Sequence, residues 1–152
     1  MVSIGTERLV LKRRMVWHVP RLVDSYRDPR SLNDHGNCSI TMAYWRLLRG
    51  CFSRRHWTVF AANTRLPIGS VGFWRWSDGR PELVYWLDPD HAAGSLATEA
   101  LSGALDHRRQ RPVVARSQTA NLGSCLVLET LGFVAETQLR EDGADQQLYV
   151  LA

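Results

Sequence analysis

A chain of 152 residues makes one domain, residues 1–152, at the usual ~100–200 residues per domain, and can bury a core without disulfides or metals. Its 45% apolar and 22% charged residues, with six Trp, four Tyr and four Phe, exclude a disordered chain, and no run reaches the ~18 apolar residues of a membrane span. Net charge is +4, and all nineteen cationic side chains but Lys12 are Arg, which favours anionic ligands without choosing among nucleic acid, a nucleotide cofactor and a plain solvated surface.

Met1 to Arg14 lacks the pattern of a signal peptide, because Glu7 and a basic cluster interrupt its apolar stretch. Within it, Glu7 through Arg13 alternates as a strand. Pro20 to Tyr26 predicts a short helix stopped by Asp28-Pro29. Ser31 to Ser39 is polar, carries Gly36 and predicts a loop. Met42, Trp45, Leu48 and Phe52 recur at helical spacing, so Thr41 to Ser53 predicts a second helix. The period then drops to two. Trp57–Ala61, Ile68–Trp76 and Glu82–Leu87 read as an antiparallel meander, turning at Asn63–Pro67 and Ser77–Arg80 and ending at Asp88-Pro89.

The strongest helical pattern covers Ser95 to Gln110, with Leu96, Ala100, Leu101, Ala104 and Leu105 on one face. Pro112 to Arg116 is a strand. Asn121 to Leu131 is a helix closed by Gly132 as its C′ glycine. Val134–Arg140 and Gln146–Leu151 are closing strands around Glu141-Asp142-Gly143. The order β-α-α-β-β-β-α-β-α-β-β places the chain in the α+β class, with a mixed sheet of about seven strands and helices on both faces. Cys38, Cys51 and Cys125 form no CxxC and no zinc spacing, which points to a reducing, cytoplasmic setting and no metal.

Two segments can carry chemistry. After the strand ending at Leu87, the small residues Ala92, Ala93, Gly94 and Ser95 let a ligand approach the backbone, and the free N–H groups of the next helix favour an anion. The same pattern also suits an ordinary strand-to-helix connection. Further on, Asn121 can cap its helix, with Ser124 one turn later on the same side.

Together these segments resemble the GCN5-related N-acetyltransferases, within them the branch that acetylates ribosomal-protein N-termini. The resemblance is carried in order by Thr6-Glu7-Arg8-Leu9-Val10-Leu11, Pro67-Ile68-Gly69-Ser70-Val71-Gly72 and Glu82 through His91. It continues with Leu96-Ala97-Thr98-Glu99-Ala100 and with Asn121-x-x-Ser124 followed by Leu128-Glu129-x-Leu131-Gly132-Phe133. It implies the single-domain acyl-CoA N-acyltransferase fold, with acetyl-CoA as cosubstrate in a gap between the strands at Glu82–Leu87 and Val113–Arg116. Main-chain groups around Trp86, Leu87 and Asp88 would meet the pantetheine arm and polarise the thioester carbonyl. Ala92 through Ala97, with Leu96 opening the helix, would hold the diphosphate, and Asn121 the pantetheine. Ser124 would protonate the leaving thiolate. Glu82 is the candidate base for the amine, against a plain cross-strand ion pair or an exposed edge position. Tyr85 and Tyr149 read as lining or as packing, and His91 as a loop residue, a phosphate contact or a proton shuttle.

The sequence departs from the family pattern in three places. The phosphate loop begins with Ala92 where the family has Arg or Gln, and Ser95 replaces its central Gly. Leu128 stands where many relatives carry a Tyr acid. The link Arg108-Arg109-Gln110-Arg111 is short and basic. The expected reaction moves an acetyl group to a primary amine, a peptide N-terminus or a small molecule, by direct attack in a ternary complex. The early helices, rich in Arg and Trp, would repel a polycation and suit a peptide with some negative character. The alternative is a degenerate relative that keeps the fold as a ligand- or partner-binding module. No nucleic-acid motif appears, no membrane partner is expected, and the chain is read as a monomer or homodimer.

Overall fold

The chain opens with a two-residue strand, β1 (Ile4–Gly5), that doubles back into β2 (Leu9–Arg13). In the computed structural model, which describes residues 3–31, 38–91, 95–141 and 143–152, the Leu9 N–H donates to Thr6 Oγ1 at 3.1 Å and the Thr6 N–H to the Leu9 carbonyl at 2.9 Å. That turn consumes Thr6 to Arg8. The first strand therefore starts at Leu9 rather than Glu7, and the sheet gains an eighth strand.

A 3₁₀ turn (Val16–His18) leads into α1 (Val19–Val23), followed by 3₁₀ turns at Asp24–Arg27 and Pro29–Ser31. Pro20 sits in the first turn of α1, where its missing N–H leaves no hydrogen bond unmade. Most of the expected loop from Ser31 to Ser39 lies outside the described residues. The next helix, α2 (Ile40–Cys51), is capped by Ser39, whose Oγ accepts the Met42 N–H at 3.2 Å. Its buried side is Ala43, Leu47, Gly50 and Cys51, while Met42, Trp45 and Phe52 are exposed. Size decides this. A Cβ on Gly50 would lie 2.3 Å from Nη1 of the buried Arg14, so only a small-residue stripe can lie against that side chain.

The meander forms as β3 (His56–Ala61), β4 (Pro67–Arg75) and β5 (Pro81–Leu87). Gly79, at φ +92°, takes the left-handed position of the β4–β5 turn. Then come α3 (Leu96–His107), β6 (Val113–Gln118), α4 (Leu122–Thr130), β7 (Val134–Glu141) and β8 (Ala144–Leu151). Gly132 follows α4 at φ +95°, as a C′ glycine does.

The eight strands run in the order β1-β2-β3-β4-β5-β6-β8-β7, antiparallel throughout except for β5 beside β6. The main core lies under α3 and α4. It joins Ala100, Leu101, Ala104, Leu105 and Leu128 to Leu83, Leu87, Val113 and Ala115 from the sheet. Each full burial of a Leu contributes about 1.5–3 kcal/mol. A smaller cluster of Val19, Leu22, Val23, Leu47 and Cys51 holds α1 against α2 on the other face. Side chains alternate along β5. Leu83, Tyr85 and Leu87 face α3 and α4, whereas Glu82, Val84 and Trp86 face the α1–α2 side.

Candidate active site

The site begins where the sheet stops pairing. β5 and β6 are in register only at Glu82 and Val114. The Asp88 N–H donates to the Ile68 carbonyl at 2.7 Å, and the Trp76 N–H to the Arg80 carbonyl at 2.8 Å. The even-numbered residues of β5 therefore turn their backbone toward β4, and Leu83, Tyr85 and Leu87 turn theirs toward β6. On β6, the Thr119 N–H donates to the Asp145 carbonyl of the neighbouring β8 side at 3.0 Å. By the same alternation Val114, Arg116 and Gln118 face β5. Two strand edges thus part immediately beyond Val114.

Of Trp86, Leu87 and Asp88, then, Leu87 alone turns its main chain into this gap. Trp86 pairs with Ser70, and the Asp88 amide belongs to the β4 ladder. Gly69 permits that close pairing, since a Cβ there would lie 2.3 Å from the Trp86 carbonyl oxygen.

At one end of the gap stands the start of α3. Ala92, Ala93 and Gly94 lie outside the described residues. Ser95 is the N-cap at φ +47°, a left-handed conformation that costs an L-residue roughly 1–2 kcal/mol. Its side chain makes no cap; instead Ser95 Oγ accepts from Arg8 Nη2 at 2.9 Å. The first-turn amides at Leu96 and Ala97 precede the first intrahelical bond, and the Ser95 side chain does not cap them. Glu99 anchors this end to the β1–β2 turn, accepting from Thr6 Oγ1 (2.5 Å), the Arg8 N–H (2.6 Å) and Arg8 Nε (2.8 Å). Burial would raise the Glu99 pKa, but these hydrogen bonds from Thr6 and Arg8 outweigh it and hold the carboxyl below its ordinary range.

At the other end is the start of α4. Asn121 Oδ1 accepts the Ser124 N–H at 3.1 Å, so Asn121 caps the helix. The Ser124 hydroxyl meets the Tyr85 hydroxyl at 2.5 Å, across the gap from β5, and either oxygen can donate. Leu128 is fully buried in the core and offers no proton to the gap. Tyr149 points elsewhere, its hydroxyl donating to Glu129 Oε1 at 3.3 Å. Burial, then Cys125 and Glu129, push its pKa up.

Glu82 is buried on the opposite sheet face from Ser124. It accepts from Arg116 Nε at 2.7 Å, and the same guanidinium pairs with Glu141 and lies over Trp76 at 4.8 Å. Partial burial alone would lower the Arg116 pKa; Glu82 and then Glu141 more than offset it and hold the charge. Next to this triad, Trp74 pairs in register with Glu82 and carries Arg49 of α2 over its ring at 5.2 Å. No Asp or Glu occurs from residue 35 to 77, so α2 and its neighbours present Arg46, Arg49, Trp45 and Phe52 with no carboxylate of their own. Between α1 and the end of β5 lies a hollow of about 150 Å³ bordered by Arg21, Asp24, Asp28, Arg30, Asp88 and Asp90. Arg21 pairs with Asp88 and Arg30 with Asp90 across it. His91 closes the turn after β5, its N–H donating to the Asp88 carbonyl at 2.8 Å.

The structure thus joins Ser124 to Asn121 and Tyr85, and Glu82 to Arg116. It sets the acid and base candidates on opposite faces of the parting strands. The sequence reading missed Arg8, Arg116 and the contact of Tyr85 with Ser124. Opposite charge on neighbouring strands could have suggested Arg116, but no local signal reveals which side chain on β5 reaches α4. Among the described residues, no group of three or more His, Cys, Asp or Glu side chains is arranged to hold a metal, and no helix is long and apolar enough to cross a membrane.

Residues 8–134 match the family described as Acetyltransferase (GNAT) domain, and the chain belongs to that family. Among solved structures it is similar to a putative GNAT-family acetyltransferase from Bordetella pertussis, at 24% identity over 100% of both chains with a TM-score of 0.84. It is also similar to RimL, a ribosomal L7/L12 α-N-protein acetyltransferase in complex with coenzyme A, at 18% identity over 99% of this chain and 97% of that one, TM-score 0.79. A Salmonella typhimurium acetyltransferase that modifies the N-terminal serine of L7/L12 aligns at 18% identity over 99% of this chain and 98% of that one, TM-score 0.77. No curated protein matches the sequence.

Proposed function

We propose that this chain transfers an acetyl group from acetyl-CoA to a primary amine, and that the acceptor is a peptide N-terminus of acidic character. The observation that carries the reading is the parting of β5 from β6 after one register pair, with the Ser124 hydroxyl at its rim. The donor set suits the cosubstrate: main-chain edges for the amides of the pantetheine arm, and bare helix amides from Ser95 onward for the diphosphate. Acetyl-CoA supplies an activated thioester, so the protein has only to position it, polarise its carbonyl and manage two protons.

In this reading the Leu87 edge offers an N–H to the thioester oxygen as charge develops there. Ser124 gives its proton to the departing thiolate. Glu82, on the acceptor face, draws the proton from the attacking amine through water, with Arg116 holding the carboxylate in place. The wall of Arg46, Arg49, Trp45 and Trp74 suits a chain of negative character and repels a polyamine.

Acetyl-CoA turnover followed with a thiol reagent, against acidic peptides and polyamines, tests this. Acidic peptides are expected to be the better acceptors, with kcat/KM falling as salt rises; faster transfer to polyamines contradicts it. Ser124→Ala is expected to lower kcat by ~10²-fold or more, and unchanged turnover removes that role. Glu82→Gln is expected to shift the alkaline side of the pH–rate profile, and an identical profile argues against a base there. One observation favours a second reading, a binding module without transfer: Ser95 holds a left-handed conformation that suits glycine. Calorimetry separates the two. Micromolar coenzyme A affinity supports the enzyme, and no binding at millimolar ligand supports the module.

A further inference from the structure

We infer that Tyr85 is the positioning residue for the Ser124 hydroxyl, and that the two form a hydroxyl pair through which the leaving thiolate is protonated. This rests on the acetyl-transfer reading. Three observations carry it. The Tyr85–Ser124 oxygen separation of 2.5 Å lies at the short end of the hydroxyl range, so this is a formed hydrogen bond. The pair bridges the parted region, because Tyr85 stands on β5 in the stretch beyond the last register pair with β6 and Ser124 opens α4. Finally, α4 carries no phenol of its own, Leu128 is buried in the core, and Tyr149 is turned to Glu129. Tyr85 therefore supplies from the strand the phenol that α4 lacks.

A serine hydroxyl is a weak acid, and its Oγ rotates freely unless held. The relay uses the direction in which Ser124 Oγ accepts from Tyr85; that hold fixes the rotamer and leaves the Ser124 hydrogen free to be given away. The proton balance is then simple. As the carbon–sulfur bond of the thioester breaks, the thiolate takes the Ser124 proton, Ser124 takes the Tyr85 proton, and the phenolate is reprotonated from solvent. No group outside the thioester, the amine and water is needed.

The test uses Tyr85→Phe, Ser124→Ala and the double variant, with acetyl-CoA and a short acidic peptide bearing a free α-amine. Tyr85→Phe removes one oxygen and keeps the ring in the core. It is expected to lower kcat ~10-fold, to leave KM for acetyl-CoA and the calorimetric Kd for coenzyme A within about 2-fold, and to cause no further fall in the Ser124→Ala background. A purely structural tether would move Kd and KM, or act equally in both backgrounds. Wild-type kcat in Tyr85→Phe overturns the inference, as does an equal loss with and without Ser124. If Tyr85→Phe does not fold, Ser124→Thr decides. It keeps a hydroxyl for Tyr85 to hold and is expected to retain more than half the turnover lost in Ser124→Ala; activity no better than that of Ser124→Ala overturns the inference. Absence of wild-type turnover with every acceptor, despite coenzyme A binding, overturns the acetyl-transfer reading itself. Turnover that Tyr85→Phe preserves leaves that reading standing and removes the relay alone.

Discussion

His56 is 1% exposed, neither ring nitrogen has a hydrogen-bond partner among the described residues, and its ring rests on Trp74 at 4.2 Å between centroids. Burial, then the charges of Arg14 and Arg55, push its pKa down from 6.5 to about 3. The folded state thus holds His56 neutral where the unfolded chain would take up a proton. Its contribution is complete above pH 6.5 and is lost as pH falls from 6.5 toward 3. Burial, Arg14 and Lys12 lower His18 as well, which adds in the same direction. Glu99, held low by Thr6 and Arg8, loses its contribution only as pH falls below its ordinary 4.5. Thermal melts between about pH 6.5 and pH 5 should therefore show a fall in Tm, and His56→Gln should flatten that slope. An unchanged slope in the variant would mean that the ring titrates in contact with water.

Among the elements, α3 depends on a contact distant in sequence. The Glu99 carboxylate receives three donors from Thr6 and Arg8, tying the first turn of the helix to the turn before β2. Glu99→Gln replaces one acceptor oxygen by a donor and is expected to cost about 1–3 kcal/mol, read as a lower denaturation midpoint in urea. Because Arg8 also holds Ser95, the same change should weaken coenzyme A binding.

The element order was legible because each segment carries its own period and punctuation. Gly132, Gly79 and the run from Leu96 to Leu105 read the same in sequence and in space. The buried side of α2 was not legible. Met42, Trp45 and Phe52 have the right spacing for a core, but burial goes to Ala43 and Gly50 because Arg14 and His56 occupy the space beneath. Within the site, Asn121 and Ser124 were legible from one helical turn of spacing. Glu82 was singled out as an unusual carboxylate on the strand beside the gap, but its partner Arg116 depends on strand register. Tyr85 depends on how α4 settles over the sheet, which no local pattern encodes.

Over the whole molecule, five strands from β1 to β5 and three from β6 to β8 are each laced by antiparallel ladders, and a single register pair joins the two sets. A ligand lying between them touches both. Coenzyme A at about 100 times its Kd should add about 2.7 kcal/mol to folding, seen as a rise in Tm of several degrees. No shift at millimolar coenzyme A would contradict the proposed site. The consequence reaches past affinity. The sheet is two halves sewn by one stitch, and the proposed site lies along the seam. Amide hydrogen exchange should be slow deep within each half and fast along both lips of the seam at Leu87 and Gln118. An occupant should quiet both lips together, as a suture draws closed the two sides of one wound.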